Sequence, residues 1–132
     1  MSIELVHMVE FLSAYKRPGF KLFRRNVINK TVQDLHTGRV HQLKAGIVGQ
    51  CDVYGFVKFS RGFAIPVEIE FKGYKTKTED EQNKWRVWCE SMGIPHIQLR
   101  VCKNAKIGVE TTFESTFRWT DELNAFVDEL LK

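Results

Sequence analysis

The chain has no apolar run approaching the roughly 18 residues of a membrane span, which argues against a transmembrane helix. Its N-terminus, MSIELVHMVEFL, carries acidic residues and no basic stretch, unlike a secretory signal. A cytoplasmic protein is the expectation. Cysteine is scarce: Cys51, Cys89 and Cys102 are odd in number, far apart and form no CxxC pair. The thiols are therefore expected to be reduced and structural. The four histidines show no zinc-ligand spacing. There are no internal repeats, no low-complexity segment, and no helix-turn-helix or zinc finger to read a base sequence.

What is present is an ordinary globular composition. With 132 residues and 43% of them apolar, the chain is expected to form one domain, 1–132, around a single core. The formal charge of +4 is unevenly spread. Residues 1–109 hold 18 Lys and Arg against 10 Asp and Glu, whereas residues 110–132 hold 2 against 6. A basic body suits a polyanionic partner; a soluble basic protein without one is the plainer alternative.

The apolar periodicity predicts a first helix over about Ser2–Tyr15, capped by Ser2 and closed by Pro18-Gly19, with Leu5, Val6, Val9 and Leu12 as its buried stripe. KLFRRNV reads as a strand, and TVQDLHTGRVHQL as a hairpin turning near Thr37-Gly38. A strand follows from about Asp52 to Phe59, then a turn at Ser60-Arg61-Gly62, then the strand FAIPVEIEFK, antiparallel because the turn is short. TEDEQNKWRVWCESMG predicts a helix with a Thr78/Glu81 capping box, a stop at Gly93 and Pro95, and Trp85, Trp88, Cys89 and Met92 buried. Both tryptophans are expected in the core rather than as stacking platforms. HIQLRV is a further strand, and a last helix is expected over about 120–132 with Leu123, Phe126, Val127, Leu130 and Leu131 apolar. The fold expected is α/β, a mixed sheet flanked by helices.

Within PVEIEFK, Val67, Ile69 and Phe71 alternate with Glu68, Glu70 and Lys72. Strands joined by the turn at 60–62 pair residues whose numbers sum to 122, so Asp52 is expected opposite Glu70 with Lys72 one step beyond. Two converging carboxylates repel unless a cation lies between them. Oxygen ligands of this kind suit Mg²⁺ or Mn²⁺ rather than zinc. A neighbouring lysine can position water and stabilise charge developing on a phosphate. The same alternation also describes a solvated strand face with a cross-strand ion pair.

The ordered set KAGIVGQCDVYG, PVEIEFK and EDEQNKW resembles the PD-(D/E)XK nuclease superfamily, and within it the VRR-NUC (virus-type replication-repair nuclease) family. The similarity rests on Gly49, Asp52 and Gly55, then Glu70 and Lys72, then Gln82, with FRRN as an upstream Arg-Asn element. It spans about residues 2–101. It implies a restriction-endonuclease-like core of order α-β-β-β-α-β and a Mg²⁺- or Mn²⁺-dependent endodeoxyribonuclease acting in DNA repair or a phage-related process. Asp52, Glu70 and the backbone carbonyl of Phe71 are then the implied metal ligands, Lys72 serves the water nucleophile, and Gln82 belongs to the catalytic set. Gln50-Cys51 departs from the Ser or Pro more usual before the aspartate. The resemblance to stand-alone junction resolvases implies a homodimer that prefers branched DNA such as four-way junctions.

Other residues have two readings each. Glu4 favours the dipole of the first helix, or reaches the metal site as first-helix glutamates of the superfamily do. It lies in line with Met8, Phe11 and Tyr15. Glu68 is a salt-bridged or solvated neighbour, or an alternative ligand. Arg24, Arg25, Lys75, Lys77 and Lys84 are candidate DNA-backbone contacts, or solvated surface. The hairpin at 31–43 and the last helix, with Leu123, Phe126 and Leu130, are candidate dimer surfaces. Rivals to the junction enzyme are a nuclease for flaps or other DNA structures, a nucleic-acid-binding module of the same fold without catalysis, and a basic protein–protein adaptor.

Overall fold

Two periodicities organise the chain, and each places the apolar residues on one side. The structure is a computed structural model that describes all residues except Met1, Asn26, Val27, Asp34 and residues 46–48, with the backbone alone at residues 28–32, 41–45 and 109. Its elements are α1 (Ile3–Ala14), β1 (Phe20–Arg24), β2 (Ile28–Gln33), β3 (Val40–Ala45), β4 (Val53–Lys58), β5 (Ala64–Lys72), α2 (Asp80–Ser91), β6 (His96–Arg100) and α3 (Val109–Leu130). The predicted element order is the observed one.

The four-stranded sheet runs β1-β4-β5-β6, and β2 and β3 form a separate two-stranded sheet. The β1/β4 and β4/β5 pairs are antiparallel, and β5/β6 is parallel, with α2 as the connection. This is an α/β fold with a mixed sheet flanked by helices, compatible with a restriction-endonuclease-like core. Val53 pairs with Ile69 and Tyr54 with Glu68, the register predicted from the short turn.

Val53 and Val57 of β4, Val67, Ile69 and Phe71 of β5, and Leu99 of β6 are buried toward α1 and α3. Trp119 of α3 joins the two helices to the sheet, with its ring centroid 5.0 Å from Phe71 and 5.8 Å from Phe11. Each such fully buried large side chain contributes about 1.5–3 kcal/mol. Gly55 lies where a Cβ would stand 2.8 Å from the Lys21 carbonyl oxygen, so β1 can approach only a glycine there.

Ser2 caps α1 as expected, accepting from the Leu5 N–H at 3.3 Å. The buried face is not the expected one. His7, Met8 and Phe11 are buried, whereas Val9 is 43% exposed and Leu5, Val6 and Leu12 are half-buried. His7 can turn inward because both ring nitrogens find partners, Ser115 Oγ at 2.6 Å and the Lys106 carbonyl at 2.8 Å. The inward line therefore includes Met8, Phe11 and Tyr15, and Glu4 stands at its head.

The last helix starts at Val109, about three turns before Thr120, and Ser115 and Trp119 already belong to its buried stripe with Leu123 and Val127. The β-branched threonines and scattered aromatics of TTFESTFRW mask the helix locally, and tertiary burial of Trp119 overrides that. Leu123 is fully buried and Phe126 and Leu130 pack on the core, so this stripe completes the monomer instead of forming a dimer surface. What α3 leaves outside is Phe113 and Phe117, 70% and 65% exposed. The hairpin forms as predicted, with Gly38 at its turn. No helix among the described residues is long and apolar enough to cross a membrane.

Candidate active site

β5 is buried on both faces. Beneath α2, Glu68, Glu70 and Lys72 are only 3–5% exposed, so their face is not the solvated one that alternation alone would allow. Burying three charges demands specific partners, and each has them.

Gln82, in the first turn of α2, supplies two. Its Nε2 donates to Glu70 Oε1 at 3.0 Å, and its Oε1 accepts from Lys72 Nζ. The same oxygen accepts the Glu79 N–H at 3.1 Å. The helix cap is thus at Glu79 and Gln82, not at Thr78 and Glu81. Thr78 instead accepts from Gln98 at 3.3 Å. Glu68 Oε1 accepts from Arg25 Nη1 and from Trp85 Nε1, both at 2.9 Å. Arg25 also donates to the Cys51 carbonyl at 3.0 Å, and its guanidinium lies 4.7 Å from the centre of the Tyr54 ring. Glu68 is therefore a buried, salt-bridged neighbour of the site.

A cleft of about 640 Å³ opens where β4 begins and β5 ends, between the N-terminal turns of α1 and α2. It is lined by Glu4, Arg24, Asp52, Glu70, Lys72 and Gln82, and by Arg25, Phe71, Thr76 and Glu79. Phe71 packs its ring into the core, so the cleft meets its main chain. Glu4 Oε2 lies 3.5 Å from where a Cβ on Gly73 would stand, at the end of β5. Gly49, just before the aspartate, has φ +93°, and a Cβ there would stand 2.3 Å from the Glu81 carbonyl oxygen. Only glycine permits that approach of the loop to α2. Asn26 of the Arg-Asn element and residues 46–48 of the glycine-containing segment lie outside the described residues.

The charges in the cleft perturb one another. Burial, and then the neighbouring Asp52, push Glu70 up to about 7; the Cys51 thiol and Lys72 oppose this. Asp52, at the exposed rim, is also raised, because the cleft walls desolvate it more than Lys72 and Arg24 stabilise it. Glu70 Oε2, like Glu68 Oε2, has no N–H or O–H donor among the described residues. Such an orphaned carboxylate oxygen beside a second carboxylate is a natural place for a hard cation. Among the described residues no group of three or more His, Cys, Asp or Glu side chains gathers around one point. The Asp52 and Glu70 carboxylates on the cleft wall are hard oxygen donors of the type that would suit Mg²⁺, an ion that keeps several of its waters.

Cys51 is fully buried, with its Sγ 3.1 Å from His96 Nε2, and burial beside Glu70 and Glu68 pushes its thiol upward. Its inward position explains how a small apolar residue serves before Asp52. The cysteines are free, as expected. Lys75 and Lys77 are exposed on the loop between β5 and α2, which brings Thr76 and Glu79 to the cleft. Lys84 is exposed on α2 and pairs with Glu81 at 3.1 Å, away from the cleft lining. Of the expected α2 stripe only Cys89 is buried; Trp88 and Met92 are 46% and 61% exposed. The sheet beneath α2 is polar, so it offers the helix little apolar surface to cover. The Arg25–Glu68–Trp85 link was not foreseen; Trp85 standing one turn after Gln82, on the same helix face, was the available signal.

No family model, curated protein or solved structure matches the chain.

Asp52, Glu70, Lys72, Gln82 and Glu4 meet in one cleft, although they come from four segments of the chain.

Proposed function

We propose that this chain is a Mg²⁺- or Mn²⁺-dependent endonuclease that hydrolyses phosphodiester bonds in DNA, with branched DNA as its preferred substrate. The observation that carries the reading is the meeting of Asp52, Glu70 and Lys72 in one open cleft, with Gln82 bonded to the last two.

Asp52, Glu70 and the main chain at Phe71 would hold the ion, with Glu4 near enough to assist. Bound there, it would supply the charge that favours ionisation of water and stabilises a phosphate gaining negative charge. Lys72 is the one buried ammonium in the cleft among the described residues. Its role is to orient the attacking water and to offset charge on the phosphate. Gln82 holds that ammonium and the Glu70 carboxylate at fixed positions. Arg24, exposed at the rim, is placed to contact a phosphate.

Preference for shape is supported by the absence of any base-reading element in the sequence. A two-fold dimer would match the symmetry of a four-way junction, and the exposed Phe113 and Phe117 offer apolar surface for it. Purified protein incubated with linear, flapped and four-way DNA, with and without Mg²⁺ or Mn²⁺, tests the reading. Metal-dependent cleavage fastest on the four-way substrate is expected. No cleavage of any substrate with either ion would sink it, and a mass near one 15.4 kDa chain in light scattering would remove the dimer.

A further inference from the structure

The sheet face that carries Glu68, Glu70 and Lys72 is only partly covered. α2 lies beside β6, while Tyr54 and Phe56 of β4 remain open, Phe56 at 44% exposure. Trp88 stands over this gap from α2, with its ring stacked on Trp85 at 4.9 Å between centroids. Between them lies a cavity of about 300 Å³ lined by Tyr54, Phe56, Trp85, Trp88, Pro66 and Ile94. Phe56 meets Tyr54 edge-on at 5.9 Å, so the walls present both ring faces and ring edges.

This cavity adjoins the candidate active site across Arg25. Arg25 lines both, and Glu68, which accepts from Arg25 and Trp85, forms part of the smaller cavity's wall. Tyr54 is two residues from Asp52, about 7 Å along an extended chain. Arg25 lies over Tyr54 but is paired with Glu68; Lys21 Nζ, 5.5 Å from the Phe23 ring centre and next to Tyr54 on the same face, adds a further positive charge beside the cavity.

We propose that the aromatic cavity takes one unpaired nucleobase of the strand whose phosphates occupy the neighbouring cleft. The placement of those phosphates rests on the nuclease reading. Every nucleobase has a flat π-face that stacks on aromatic rings, so the recognition is independent of sequence. The size, at the small end of ligand cavities, suits a single planar group. The Lys21 ammonium beside the rings favours an occupant attached to phosphates over a neutral apolar side chain. A branch point supplies unpaired bases without the cost of extracting one from a duplex, so the cavity would select branched or single-stranded substrate.

Binding is measured by fluorescence anisotropy in EDTA, where no cleavage occurs, with a short labelled oligothymidylate and an abasic strand of the same length. The unmodified protein is expected to bind the oligothymidylate about tenfold more tightly. Trp88→Ala and Phe56→Ala, both at exposed positions, should lower it to the abasic value and leave abasic-strand binding unchanged, with Trp88→Phe restoring most of the preference. Equal binding of the two strands by the unmodified protein overturns the proposal. Equal weakening of both strands by the variants overturns it too. Neither result touches the cleavage test of Asp52→Asn, so this proposal and the nuclease reading fail separately.

Discussion

Gln82 joins Glu70 to Lys72: its amide nitrogen donates to the carboxylate and its oxygen accepts from the ammonium. Replacing it by alanine removes both bonds and leaves the fold's apolar core untouched. Partners of this kind typically account for 10–100-fold in activity. Gln82→Ala is expected to lower kcat by about that factor. The acid limb of the pH–rate profile should also move upward, because Glu70 loses a donor that favours its charged form. An unchanged profile, with only stability reduced, would make the amide structural.

Asp52→Asn and Glu70→Gln remove charge and almost no volume. Each is expected to abolish Mg²⁺-dependent cleavage while circular dichroism stays that of the native chain. Cleavage at the unmodified rate by either variant means that the site lies elsewhere.

The Glu70 carboxyl also sets a pH dependence in metal-free protein. Its ordinary value of 4.5 rises on folding to about 7. The folded state then binds the proton more tightly, so the contribution to stability is present below pH 4.5 and lost as pH rises through about 7. In EDTA at pH 8, Glu70→Gln should melt above the unmodified protein by a few degrees, on the order of 1 kcal/mol. At pH 5 the difference should nearly vanish. Added Mg²⁺ should raise the melting temperature of the unmodified protein alone. A Glu70→Gln variant that melts lower at pH 8 contradicts the buried repulsion.

Lys72 and Glu68 separate chemistry from support. Lys72→Met keeps the buried stem and is expected to lose most turnover while binding Mg²⁺ in calorimetry, since an ammonium is not a ligand. Glu68→Gln weakens the ion pair with Arg25, which is itself largely buried. It should cost about 1–3 kcal/mol of stability, with activity per folded molecule within about tenfold. A Glu68→Gln variant that folds well but is as inactive as Glu70→Gln would transfer the ligand role to Glu68.

The sequence by itself determined the element order, the β4/β5 register and the residues of the candidate site. These are local matters. Strand alternation has a period of two, a three-residue turn leaves one antiparallel register, and Ser2 caps the helix that follows it. Asp52 and Glu70 were placed together by that arithmetic alone. The tertiary structure decided which face each helix turns inward. On α1 it chose Met8 and Phe11 over Val9, because Trp119 and Phe71 offered Phe11 rings to pack against and because Ser115 and Lys106 satisfied His7. It extended α3 back to Val109 by burying Trp119. On α2 it left Trp88 outside, since the sheet below carries charges that bond to Gln82 and Trp85 instead of covering an apolar stripe. Periodicity reports how many apolar residues a helix can bury. Which of them it buries depends on the surface it meets, and that surface comes from distant parts of the chain.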